Sequence, residues 1–143
     1  KKISYEIKKL NTGDYSFAIP ENAELNIDRK LYFSHSCAIE RKAGLDELAG
    51  NLTIDRQRIE NELIRSRLIQ KFQMIIEDQN GYENILSGNY RSEYKPTAFI
   101  GTLQSFASRY NFSFIFLDKK LSGNYIYYYF YYYLRNYLIN KLY

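Results

Sequence analysis

With 143 residues, 45% of them apolar and 25% charged, the chain has the composition of one globular domain with a real core. No apolar run approaches the length of a membrane span and no signal peptide opens the chain. One Cys and one His exclude a disulfide framework and a Cys/His zinc site, and a net charge of +4 hints mildly at a polyanionic partner.

In chain order, Ile3, Tyr5 and Ile7 alternate with polar residues and predict a first strand over Ile3 to Leu10. Asn11-Thr12-Gly13-Asp14 is a turn signal. Tyr15, Phe17 and Ile19 alternate next and predict a second strand that stops at Pro20. A polar connection, Glu21 to Lys30, leads to a third strand over Leu31 to Arg41. Phe33, His35, Cys37 and Ile39 share one face of that strand. Ser34, Ser36, Ala38 and Glu40 share the other.

Asp46 to Leu52 reads as a short helix, and Asp55 to Lys71 as a longer one with an Ile59/Leu63 seam and a basic surface. Phe72 to Glu77 is a short buried-type strand ending in an acid. Asp78 to Pro96 reads as a long connection. Thr97 to Tyr110 predicts a helix and Phe112 to Leu117 a further buried strand. From Ser122 onward nothing breaks a helix, and Ile126, Phe130, Leu134, Leu138 and Leu142 recur every four residues. The expected class is α/β, a mixed sheet flanked by helices, in one domain over 1–143.

Glu40 and Lys42 lie on one face of the third strand and Arg41 on the other. If the second and third strands pair as an antiparallel hairpin, Asp14 falls near Glu40, provided the register holds. With Cys and His so scarce, carboxylates and carbonyls are the available metal donors, a set that suits Mg²⁺ or Mn²⁺.

Gly13-Asp14, then Glu40-Arg41-Lys42, then Asp46 three residues on, stand in the order of the signature of the XPF-type structure-specific DNA nucleases. The chain resembles that family over roughly 10–117. It is similar to small phage and bacterial members in Asp46-Glu47-Leu48, Asn51-Leu52-Thr53, Arg56, Arg58, Glu62-Leu63, Arg65 and Met74 to Glu77. Tyr90-Arg91-Ser92 and Gly101-Thr102-Leu103 add to the likeness. Of the acidic strand that relatives carry before the Gly-Asp, Ile3 to Leu10 holds only Glu6. With Lys1 as its first residue, the nuclease domain is expected to be trimmed at its N-terminus.

The resemblance implies a restriction-endonuclease-like fold and divalent-metal-dependent hydrolysis of DNA phosphodiesters at flaps, forks and other single-strand/double-strand junctions. It implies roles in repair or recombination in a bacterial or phage-infected cytoplasm, and dimerisation through the nuclease domain. Its site would use Asp14, Glu40 and the Arg41 carbonyl to hold Mg²⁺ or Mn²⁺, with Lys42 positioning water or stabilising charge at phosphorus. Arg41 is expected to act through a carboxylate neighbour, and Asp46 to cap a helix or hold Arg41 or Lys42. Glu77 is a candidate for the site's edge. The alternative is a catalytically inactive module of the same fold that binds DNA or protein.

Other residues carry weaker expectations. Arg58 and Glu62 are spaced to pair along a helix. The Arg58 region, with Tyr90, Arg91 and Lys95 on the long connection, offers candidate DNA contacts. His35 and Cys37 are expected inside. Nine of the sixteen tyrosines lie at 125–143, more ring area than one helix is expected to bury, which points to a homodimer or partner contact there.

Overall fold

Three parallel strands carry the fold. The computed structural model of the chain describes residues 2–142, with side chains as far as residue 140. Its elements are β1 (Ala18–Ile19), β2 (Leu31–Tyr32), β3 (Cys37–Lys42), α1 (Leu45–Leu52), α2 (Arg56–Ser66), β4 (Lys71–Ile76), α3 (Gly81–Ser87), α4 (Pro96–Tyr110), β5 (Ser113–Phe116) and α5 (Ser122–Leu142). The main sheet has the order β3-β4-β5, all parallel, with Glu40 opposite Met74 and Lys42 opposite Ile76. Parallel neighbours need crossovers, and α1–α2 and α3–α4 supply them. β1 and β2 form a separate antiparallel pair.

A parallel sheet is covered on both faces, so its strands read as nearly unbroken apolar runs. Phe72, Met74, Ile75 and Ile76 of β4 are all buried. Ala38, Phe72, Met74 and Ile76 join Leu48, Leu63, Phe99 and Phe106 of the helices in the main core. The other face of β3 meets α5, where Phe33 lies 5.1 Å from Tyr137 and Phe17 lies 5.2 Å from Phe130, ring to ring. Local signals fix the helix ends. Pro96 opens α4, while Gly88 ends α3 and Asn111 ends α4 in the left-handed conformation. Among the described residues no helix is long and apolar enough to cross a membrane.

Several expectations change. The segment expected as a first strand, 3–10, forms no strand and joins no ladder, and Tyr5 and Ile7 face solvent. The third strand is two strands, because a turn at 33–36 interrupts it, with Ser36 and Cys37 both donating to the Phe33 carbonyl. That turn breaks the alternation, so His35 is exposed while Cys37 is fully buried and its thiol is pushed up to about 12 by burial. The longer helix ends at Ser66 instead of reaching Lys71, which belongs to β4. The long connection contains α3. Gly81 hides this helix in the sequence, yet it is required there: a Cβ would sit 2.1 Å from the Phe116 ring.

Gly13 has two reasons to be glycine. Its φ is +88°, and an added Cβ would press at 3.2–3.3 Å on the Ile39 carbonyl, Ala38 and Phe72. Gly13→Ala is therefore expected to lower stability by about 1–2 kcal/mol in urea unfolding. An unchanged midpoint would show that this approach to β3 is not tight.

Candidate active site at the end of strand β3

The chain leaves Gly13 already against β3. Asp14 N and Tyr15 N both donate to the Ile39 carbonyl, at 2.8 and 3.0 Å, and Ile39 N donates back to Tyr15 O at 2.9 Å. Tyr15 and Ile39 thus form an antiparallel bridge, which sets Asp14 opposite Glu40. The Asp14 carboxylate is fixed by one bond, accepting from Arg41 N through Oδ2 at 2.8 Å. Since a strand residue turns its N–H and C=O to the same edge, the Arg41 carbonyl emerges on Asp14's side of β3 as well. The hairpin register expected from β1 and β2 does not itself produce this meeting. Ala18 pairs with Tyr32, and the turn at 33–36 shifts the pairing by four residues before Tyr15 meets Ile39.

Glu40 and Lys42 point from β3 toward the helical layer and form an ion pair at 3.0 Å. Both are buried, with only 7% and 4% of their surfaces exposed. Burial pushes the Glu40 carboxyl up to about 8. The charges of Glu62 and Asp14 push the same way, and the Lys42 ammonium opposes them. Desolvating two charges costs several kcal/mol per ion, and their attraction repays this only when further hydrogen bonds complete the set. Glu40 uses Oε2 alone for Lys42, and Asp14 uses Oδ2 alone for Arg41, so each carboxylate keeps an oxygen without a protein partner among the described residues.

Arg41 points to the opposite face. Its Nε lies 3.1 Å from Glu77 Oε2, and that oxygen also accepts from Ser122 Oγ at 2.7 Å, tying the start of α5 to the ends of β3 and β4. The carboxylate neighbour expected for Arg41 is thus Glu77, which stands on Arg41's face of the sheet rather than beside Lys42. Its Oε1 is buried without a partner.

Asp46 does not cap α1, whose preceding residue is Gly44, and it touches neither Arg41 nor Lys42. Its Oδ1 accepts from Arg91 N and Ser92 N at 2.8 and 3.3 Å, and its Oδ2 lies 3.9 Å from Arg91 Nε. Asp46 therefore pins the 88–95 loop to the first turn of α1. In that loop Tyr90 packs edge-on against Phe99 at 5.2 Å and donates its hydroxyl to the Tyr94 carbonyl, so it is a packing residue. Arg91 and Lys95 stay exposed.

The expected Arg58–Glu62 pair is absent. Arg58 pairs with Asp55 at 3.4 Å and Arg56 with Glu60 at 3.2 Å, because both bases lean toward the exposed side of α2. Glu62 is left without a cation partner among the described residues and contributes instead to the field at Glu40. The sequence does carry a signal for this. Glu62 sits on the same side of α2 as the buried Ile59, Leu63 and Ser66, an acid in an inward position.

Two carboxylates with free oxygens and a carbonyl at one strand edge make a hard oxygen donor set. That chemistry fits Mg²⁺ or Mn²⁺, which complete their shells with water. Among the described residues no group of three or more His, Cys, Asp or Glu side chains comes close enough to form a full protein cage.

The family model of the ERCC4 domain, the nuclease domain of XPF-type proteins, matches residues 1–129. No curated protein matches the chain. No solved structure matches it either.

The position of Glu40 gives this site a pH signature. An unfolded chain releases the Glu40 proton near 4.5, whereas the folded chain holds it to about 8. Between those values the folded state binds more protons, so the stability that this group contributes is lost as pH rises. Metal-free protein is expected to melt at a lower temperature at pH 8 than at pH 5, and Glu40→Gln to flatten the slope. Equal slopes in both proteins would contradict the assignment.

Proposed function

The chain belongs to the ERCC4 domain family, and from that membership together with the row Asp14, Glu40, Lys42 we propose that it is a metal-dependent DNA endonuclease. Its substrate class would be branched DNA or DNA with single-strand/double-strand junctions, as in repair or recombination. The family is one of nucleases acting on DNA, and the observation that carries the finer reading is the buried Glu40–Lys42 pair at 3.0 Å with Asp14 across the strand edge.

Asp14, Glu40 and the Arg41 carbonyl would hold Mg²⁺ or Mn²⁺, and the ion, when bound, supplies Lewis acidity and a more acidic water. The chain's own residues do the rest. Glu40 gives up its proton to act as a ligand. That proton would leave to solvent, and the Lys42 ammonium, held beside Glu40 at 3.0 Å, would contact the attacking water or a non-bridging phosphate oxygen, where negative charge grows as the water oxygen bonds to phosphorus and the leaving oxygen departs. Low surrounding polarity strengthens each of these contacts. Gly13 keeps Asp14 in register, and Glu77 holds Arg41 on the reverse face so that its backbone stays aligned with Asp14. Asp46 fixes the loop that presents Arg91 to solvent, where a phosphate could reach it.

One observation favours a second reading, a nuclease-fold module that binds DNA without cutting it. Among the described residues no group of three or more His, Cys, Asp or Glu side chains is gathered closely enough to hold a metal ion.

Incubation with Mg²⁺ or Mn²⁺ and labelled flap, fork, hairpin and linear DNA separates the two. Cleavage is expected for the parent chain, and Lys42→Ala or Glu40→Gln should reduce it by about 10²–10³-fold with DNA binding retained. Equal cutting by parent and variants would sink the site assignment, and binding without cutting by the parent would establish the second reading.

A further inference from the structure

We propose that the outward face of α5 is a stacking platform for unpaired DNA. The inference rests on the reading of the chain as a DNA nuclease and adds to it a surface that grips single strands. At about 100° per residue, positions 128, 131, 132, 135 and 139 fall on one side of the helix. Tyr128, Tyr131 and Tyr132 are 49%, 47% and 52% exposed, and Arg135 beside them is exposed too. The inward side is already occupied, with Phe130 and Tyr137 packed on Phe17 and Phe33, and Tyr133 donating to Gln70 Oε1 at 2.7 Å. The outer rings therefore do not serve the core.

They are nevertheless ordered by one another. Tyr128 and Tyr132 stack at 6.2 Å between centroids, and Tyr131 meets Tyr132 edge-on at 5.0 Å. Flat rings held in a row suit base stacking, which is tolerant of sequence because every base has a π-face.

Charge decides between occupants. No Asp or Glu occurs anywhere in 122–142, and Lys119 precedes the helix beside Lys120, which pairs with Asp118 at 3.7 Å. A second copy docked through the same face would set Arg135 against a surface that offers no carboxylate. A polyanion carrying exposed bases satisfies the cation and the rings together. A duplex hides its base faces, so the complementary ligand is an unpaired strand. The platform also joins the proposed site mechanically. Ser122, at the start of α5, is bonded to Glu77, which holds Arg41, and the helix runs from there toward Gln70 at the start of β4.

The test is fluorescence anisotropy of a labelled oligothymidylate with the full chain in EDTA, so that no chemistry contributes. Tyr128→Ala/Tyr131→Ala/Tyr132→Ala should bind about tenfold more weakly, the corresponding triple Phe variant should stay within about twofold of the parent, and duplex binding should not move. Should the triple Ala variant fail to melt cooperatively, Tyr132→Ala alone is expected to lose about threefold. Unchanged oligothymidylate affinity in a folded Ala variant overturns the proposal, as does failure of the parent to bind that probe. If the Ala variant instead sediments as a monomer where the parent is a dimer, with affinity unchanged, the face belongs to a second copy. Metal-dependent cleavage lost on Lys42→Ala is read separately, so this inference can fail while the nuclease reading stands.

Discussion

Glu40 and Lys42 meet at 3.0 Å inside the protein, where an acid and an amine are expensive to keep. The strand that carries them and the helices that cover it set that placement. A strand covered on both faces normally carries an unbroken apolar run, and β3 begins that way with Cys37, Ala38 and Ile39 before ending in charge. The helical layer that buries Ala38 also desolvates Glu40, and it brings Glu62 inward with no cation to match it among the described residues. One base thus faces several acids in a region of low polarity. Burial first, and then the charges of Glu62 and Asp14, raise the Glu40 carboxyl against the pull of Lys42.

The two faces of β3 divide the work. Toward the helices, Glu40 and Lys42 form the charged pair with Asp14 at the edge. Toward α5, Arg41 and Glu77 form a bridge that ends on Ser122. Alternation along one strand places both sets, so a shift of one residue in the strand would exchange the charged pair for the bridge. Gly13 guards against this at the edge, since a residue with a Cβ would be strained at its φ of +88° and would press on the Ile39 carbonyl that Asp14 and Tyr15 share. The platform proposed on α5 belongs to the bridge side.

Much of this was legible in the sequence. Short buried apolar runs located β4 and β5, and helix patterns located α1, α4 and α5, to within a residue or two, because tertiary packing agreed with local preference there. The acids of the signature could be placed on a common face from alternation, although the hairpin register that suggested their meeting was off by the four residues of the 33–36 turn. Where a single residue serves a distant contact, the reading failed. Gly81 reads as a loop signal and in fact makes room for Phe116. Asp46 reads as a helix cap and in fact holds a loop 45 residues away in the chain. Glu62 reads as half of a surface pair, and only the inward position of its neighbours Ile59 and Leu63 marks it otherwise. The segment at 3–10 shows the opposite fault, since its alternation is strand-like yet no ladder receives it.

If the charged pair is kept for chemistry, it should be dispensable for stability, and urea unfolding of Glu40→Leu/Lys42→Met measures this directly. Removing one partner alone should cost about 3–5 kcal/mol, whereas the double variant should equal the parent or exceed it by about 1–4 kcal/mol while losing all metal-dependent cleavage. A double variant several kcal/mol less stable than the parent would mean that the pair is there to hold the fold together, and the account given for it would be wrong.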